Sequence, residues 1–276
     1  MRRGLWIVLG SMLWAASAQA AVIEMNEWTS ATQTGWRVSP PGSPVIDPSP
    51  AGGSSPSGGS ALRLTINPGT FPTSTSGQTE YYANPPSSIG LSAFHGFWIR
   101  YSNPFDFNPV ATKFFWVNMR GPAAGQSTAS DNFVFTVTAA GQPVLTIQLW
   151  GATGAGLATQ SRFMNRSSVS LQKGVWYWFE VQSILNTPGQ RDGTIRVWVN
   201  DVLIMEYFDC PLRSTNTTMG EIKHLSVWGG GGGTINQIQH VWFDHTVFST
   251  TRIGMPGGTA SADTTPPVPP GNFTLH

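Results

Sequence analysis

The sequence predicts an all-β fold, built as a two-sheet antiparallel sandwich. Three observations carry that prediction. Short runs rich in Val, Ile, Phe, Trp and Thr recur along the chain, bounded by Gly, Pro, Asn and Asp. No window of helical length carries a 3.6-residue apolar period. Gly (31) and Pro (21) are abundant, whereas charged residues make up only 11% of the 276-residue chain. An ordinary soluble protein has about 25%, so long salt-bridged helices are not expected.

The same arithmetic excludes other classes. A hydrophobic fraction of 40%, with 12 Trp and 15 Phe, is not that of a disordered solvating chain. The net charge is +1 and no run of Lys or Arg occurs, so the electrostatic footprint of a nucleic-acid binder is missing.

Taken in order, the chain opens with Arg2-Arg3, an apolar stretch Leu5 to Leu13, and the small-residue end Ala18-Gln19-Ala20. This pattern predicts a secretory signal peptide over residues 1–20. Its apolar stretch is shorter than the roughly 20 residues that a membrane span needs. Removing two of the 15 basic residues leaves 13 against 14 acids, a formal −1. A secreted or periplasmic protein is expected, with no membrane association after cleavage. The domain is expected over 21–256, with a Pro/Gly/Ser-rich surface loop at 39–59. Strands are predicted near 22–27, 61–66, 96–102, 113–119, 132–138, 144–150, 175–184, 193–200, 202–207, 223–228 and 240–249. Asn200-Asp201 is a hairpin signal. Gly229 to Gly233 lacks the following helix and Lys of a phosphate cradle and is read as a turn. Residues 257–276 form a Pro-rich linker or tail, of the kind that tethers a further module. Cys210 is the only cysteine, which excludes an internal disulfide and a cysteine-ligated zinc; it is read as a small buried hydrophobe.

Alternation sorts the side chains onto two faces. Phe97, Ile99, Tyr101, Tyr177, Phe179, Val181, Val197 and Val199 are assigned to a core face, with Lys113 there by parity. The opposite face is expected to carry Trp98, Trp116, Trp178, Trp198 and Trp228 beside Arg100, Arg120, Arg196, Asn118, Glu180, Gln182 and His224. Indole rings suit the C–H faces of sugars, and Arg, Asn, Gln and Glu suit their hydroxyls. A glycan-facing groove is therefore expected; the alternative is that these indoles pack under loops as a second, minor core.

Several segments resemble the concanavalin A-like lectin/glucanase jelly roll, and within it the secreted polysaccharide-lyase-like proteins. Gly174-Val175-Trp176-Tyr177-Trp178-Phe179-Glu180 followed by Arg191-Asp192-Gly193-Thr194-Ile195-Arg196-Val197-Trp198-Val199-Asn200 is similar to that family's hairpin. Gly59 to Leu64, Phe97 to Ser102, Thr112 to Phe115 and Trp242 to Phe248 resemble further strands, over roughly residues 22–254. The resemblance implies a jelly-roll sandwich and a polysaccharide partner. The acidic triplet of retaining glycosidases in this fold is absent, which disfavours paired-carboxylate hydrolysis. The alginate-lyase motifs of this fold are also absent.

Three readings follow. A lyase acting on an acidic polysaccharide would use Arg100, Arg120 and Arg196 against the uronate carboxylate, with Asn118 and Gln182 assisting. His224 would be the base, with Lys113 as a second possibility although parity sets it on the core face. Trp98, Trp116, Trp178, Glu180, Trp198 and Trp228 would line the groove. A non-catalytic glycan-binding module of a larger secreted protein needs only the platforms and hydrogen bonders, and a structural or adhesion domain needs neither. The sequence leaves open whether the chain is an enzyme. The resemblance also implies a structural calcium ion, with Glu24, Asn26 and Asp244 as oxygen ligands; the alternative is that Asp244 only ties down a loop. No organic cofactor is expected.

Overall fold

The computed structural model describes residues 22–29, 36–39, 45–50, 54–71, 79–83, 90–107, 112–120, 127–140, 142–150, 171–228 and 233–257. The expected leader (1–20), most of the glycine turn and residues 258–276 lie outside them. The strands are β1 (Val22–Asn26), β2 (Trp36–Ser39), β3 (Val45–Asp47), β4 (Ala61–Ile66), β5 (Gly69–Phe71), β6 (Thr79–Ala83), β7 (Ser92–Tyr101) and β8 (Thr112–Arg120). They continue as β9 (Ser127–Ala140), β10 (Gln142–Trp150), β11 (Trp176–Ile184), β12 (Gly193–Val199), β13 (Val202–Cys210), β14 (Thr218–Trp228), β15 (Gly233–Ile235) and β16 (Gln239–Ser249).

They form two main antiparallel sheets. Sheet I has eight strands in the order β13-β12-β11-β7-β16-β4-β3, with β1 also pairing β16. Strand β4 pairs the first half of β16 and β1 the second half, so one flank of β16 is shared between them. Sheet II has six strands in the order β10-β9-β8-β14-β6-β2, and β15 pairs β5 separately. The non-consecutive neighbours give the crossovers of the expected jelly roll.

The core lies between the sheets and is rich in Phe. Phe97 and Phe179 of sheet I meet Phe115 and Phe114 of sheet II at 5.3 and 5.1 Å between ring centroids. Cys210 is buried within this cluster. The β12–β13 hairpin turns on Asn200 (φ 49°) and Asp201 (φ 64°), the paired positive φ values of a tight hairpin that Asn and Asp tolerate.

Five short strands, β2, β3, β5, β6 and β15, carry no clear sequence signal. Each has three to five residues, too few for alternation to register. Strand β3 falls inside the segment expected to be loop. A second departure is a bulge. The β8–β9 register shifts between Lys113 and Phe115, and both Phe114 and Phe115 enter the core. The extra residue reverses parity upstream of it. Lys113 therefore lies on the side of Trp116, not on the core face assigned to it from the sequence.

Candidate functional site

The expected Trp–Arg face does not exist as one surface. Trp98, Arg100, Trp178, Glu180, Gln182, Arg196 and Trp198 belong to sheet I, whereas Trp116, Asn118, Arg120, His224 and Trp228 belong to sheet II. Alternation separates inside from outside along one strand, but it does not say which sheet the strand joins. The outward faces of the two sheets lie on opposite sides of the sandwich.

On sheet I, the register aligns Trp98 with Trp178 and Gly96 with Glu180, and Glu180 in turn with Trp198. Trp178 is fully buried and Trp198 nearly so. A Cβ on Gly96 would overlap the Trp178 ring, lying 2.7 Å from Cη2. The segment after β16 covers this region. Arg252 lies 4.9 Å over the Trp198 ring, and Phe94 stacks on Trp198 at 6.2 Å. Glu180 is buried beneath the same segment and accepts its backbone N–H groups from Ile253 and Gly254. Burial pushes its carboxyl up from the ordinary value, against the pull of those two hydrogen bonds and of Arg252. Trp178, Trp198 and Glu180 thus form a second small core, not the groove floor expected for them.

Further along sheet I, Gln182, Arg196 and Glu206 sit side by side across β11, β12 and β13. Arg196 donates to Glu206 Oε1 at 2.9 Å and to Gln182 Oε1 at 2.7 Å. Its expected role toward a substrate carboxylate is thereby taken by a neighbour, as is that of Gln182. Arg100 lies between Trp176 and Trp242 in register, its guanidinium carbon 6.0 and 5.8 Å from their rings.

On sheet II, Lys113, Trp116 and Asn118 of β8 project away from the core, beside Glu221 and Lys223 of β14. The ammonium groups of Lys113 and Lys223 lie 4.9 and 5.3 Å from the Trp116 ring. Asn118 donates to Glu221 Oε2 at 3.0 Å. Trp116 Nε1 and the Oδ1 of Asn132, which pairs Asn118 in register, have no hydrogen-bond partner among the described residues. Lys223 and Glu221 were not among the sequence candidates, and parity sets Lys113, the second possible base, on the core face. The β8 bulge and the register shift in β14 between His224 and Val227 hide them from a parity count.

His224 is corrected outright. It points into the sandwich, is fully buried, packs 4.8 Å from Phe97 and 4.4 Å from Phe243, and shares a 3.0 Å hydrogen bond with Thr246 Oγ1. Burial and neighbouring His95 lower its pKa to about 3, so it is a neutral core residue. Arg120 ends β8 and Trp228 ends β14, and their side chains lie outside the described residues.

Asp244 lies at the bulge of β16 against the 54–59 loop. Its Oδ2 accepts the Ser57 N–H at 3.1 Å and its Oδ1 the His245 N–H at 2.8 Å. Burial pushes its carboxyl up. The described residues contain no cluster of three or more His, Cys, Asp or Glu that could hold a metal. The side chains of Glu24 and Asn26 lie outside the described residues. Asp244 ties down a loop.

The sheet order and the Phe-filled interior define a concanavalin A-like jelly roll, the fold used by polysaccharide lyases. Solved structures share it. The endo-β-1,4-glucuronan lyase from the fungus Trichoderma reesei is 14% identical with a TM-score of 0.58, covering 83% of this chain and 96% of that one. The alginate lyase vAL-1 from Chlorella virus is 13% identical with a TM-score of 0.56, covering 75% and 88%. The cellulose-induced protein Cip1 is 18% identical with a TM-score of 0.56, covering 84% and 99%. No protein-family model and no curated protein sequence matches the chain.

Proposed function

We propose that the chain acts on an acidic polysaccharide laid across the outward face of sheet II, cleaving it by β-elimination. The observation that carries this reading is the pair of ammonium groups, of Lys113 and Lys223, over the Trp116 ring. An indole platform suits the C–H face of a pyranose, and two cations beside it suit a uronate carboxylate. Asn118 stands next in the same strand and adds an amide. The lyases of alginate and of glucuronan that share the fold act on uronate polymers, which supports the same substrate class here.

β-Elimination breaks the C5–H and C4–O bonds and forms a C4=C5 double bond. Neutralising the carboxylate makes the C5 proton acidic enough to remove, and Lys113, Lys223 and Asn118 are assigned to that task. The C5 proton passes to a base as the C4–O bond breaks, and O4 takes up a proton as it leaves, so the step is proton-neutral. Export by the leader at residues 1–20 would bring the protein to such polymers, and N-terminal sequencing of the exported form tests that part.

The experiment is incubation with alginate, glucuronan and cellulose. The expected result is unsaturated-uronate absorbance from at least one of the uronate polymers and none from cellulose. Lys223→Ala and Lys113→Ala should abolish it, while Arg196→Gln, on the opposite sheet, should retain it. Absence of product overturns the enzyme reading. The second reading, a non-catalytic glycan-binding module, is favoured by the loss of His224 to the core; its sign is retarded migration in an alginate-containing gel without product.

A further inference from the structure

We infer that the outward face of sheet I carries a second carbohydrate site, centred on Arg100 and flanked by Trp176 and Trp98, that takes a carboxylate-bearing sugar of a polyuronate. It shares its ligand class with the sheet II reading but lies on the opposite face and rests on different residues.

The starting point is an arginine without an acceptor. Arg63 pairs with Asp47, Arg191 with Asp209, Arg196 with Glu206 and Arg252 with Asp201. Arg213 donates to the carbonyls of Asn186 and Thr217. Arg100 alone, among the arginines whose side chains are described, makes no hydrogen bond or ion pair with the described residues, and its Nε is buried. Its only partners among the described residues are the two indoles in the same row, at 6.0 Å (Trp176) and 5.8 Å (Trp242). A partly desolvated guanidinium lacking an acceptor is costly, and a ligand carboxylate would supply two oxygens to its planar fork.

The surroundings fit a sugar. Trp242 is fixed from behind, its Nε1 donating to Asp47 Oδ2 at 2.9 Å, and so holds the guanidinium from one side. Trp176 on the other side is half-buried and its Nε1 has no partner among the described residues. Trp98 is two residues before Arg100 on the same strand face and is also half-buried. Its edge-on contact with Trp178, at 5.6 Å, fixes its ring. Two part-exposed indoles around one cation offer a stacking surface and a charge, which match the C–H face and the carboxylate of a uronate. An acidic peptide fits less well. Strand β7 lies between β11 and β16, so no sheet edge is open for strand addition there. A long polymer held on both faces would dissociate more slowly than one held on sheet II alone.

The test is NMR of the full chain labelled at its indole nitrogens. Trp176→Phe identifies the Trp176 cross-peak by its loss. In the unsubstituted protein, alginate oligosaccharide should shift that peak and cello-oligosaccharide of equal length should not. Arg100→Gln should weaken the apparent affinity read at that peak by roughly tenfold or more, as for a charge-assisted hydrogen bond. Lys223→Ala should leave the Trp176 titration unchanged, so a failed sheet II reading and a failed sheet I site give different results. A motionless Trp176 peak, an equal shift with polyglutamate, or an Arg100→Gln titration like that of the unsubstituted protein would each overturn the inference.

Discussion

The carboxylate of Glu180 holds the backbone of Ile253. Its Oε1 accepts the Ile253 N–H at 2.7 Å, and its Oε2 accepts that of Gly254 at 3.1 Å. Asp201, at the hairpin tip, accepts Met255 N–H at 2.9 Å and faces Arg252 at 3.3 Å. These bonds lay the chain after β16 across Trp178 and Trp198. A chain ending after Gly257 is therefore expected to unfold in denaturant like the full chain. One ending after Ser249 should lose about 3–6 kcal/mol, from two hydrogen bonds to a buried charge at about 1.5–3 kcal/mol each. Equal stability of the two shortened chains would show that the segment does not hold the small core together.

The two buried histidines set an acid limit. Burial lowers both His95 and His224 from 6.5 to about 3. Below 6.5 the unfolded chain takes up protons that the folded chain refuses, so stability is full above 6.5 and falls as the pH drops toward 3. The slope is about 1.4 kcal/mol per pH unit for each histidine. The raised carboxyls of Glu180 and Asp244 act in the opposite sense, since protonating them favours the folded state. A comparison within one background isolates the histidine. His224→Phe should unfold with a shallower dependence than the parent between pH 6 and 5, as read from denaturant midpoints. Parallel curves would mean that His224 is charged in the fold.

The extent to which the sequence anticipated this arrangement differs from element to element. Strands β7, β11, β12 and β16 are long enough for alternation to show, and Phe97, Ile99, Phe179 and Val197 lie where parity puts them. Outward positions were equally legible: Trp98, Arg100, Gln182 and Arg196 all leave the core side. What alternation lacks is partner identity. It could not say that Trp116 and Trp178 lie on different sheets, or that residues 250–257 return over Trp178. It also fails across a bulge, which is why Lys113 and His224 were assigned to the wrong sides. The pairing of Arg196 with Glu206 needs the β12–β13 register, which a two-residue turn at Asn200-Asp201 fixes only once the hairpin is known.

Asp244 should behave as a loop anchor. Asp244→Asn would turn an NH₂ group toward either the Ser57 or the His245 N–H, leaving a buried donor without an acceptor. The expected cost is about 1–3 kcal/mol. Neither calcium nor a chelator should move the melting temperature of the parent chain. A rise with calcium that Asp244→Asn removes would restore a cation to this corner of the fold.

Gly96 and Trp178 should be thermodynamically coupled. The indole occupies the space that any side chain at 96 would need, and Ile253 Cδ1 closes it 3.0 Å away. Gly96→Ala is therefore expected to destabilise by about 1–3 kcal/mol through overpacking. Trp178→Ala should cost about 3–5 kcal/mol as a buried aromatic truncated to a cavity. The pair should not add. In the Trp178→Ala chain the new methyl at 96 enters vacated space, so the second substitution should be nearly free or slightly favourable, a coupling of about 1–3 kcal/mol. Equilibrium unfolding of the four proteins of the cycle measures it. Strict additivity would mean that the ring moves aside without cost, and so that Trp178 is held less firmly than its burial implies; a small effect of Trp178→Ala alone would return it to the solvent-facing role first expected of it.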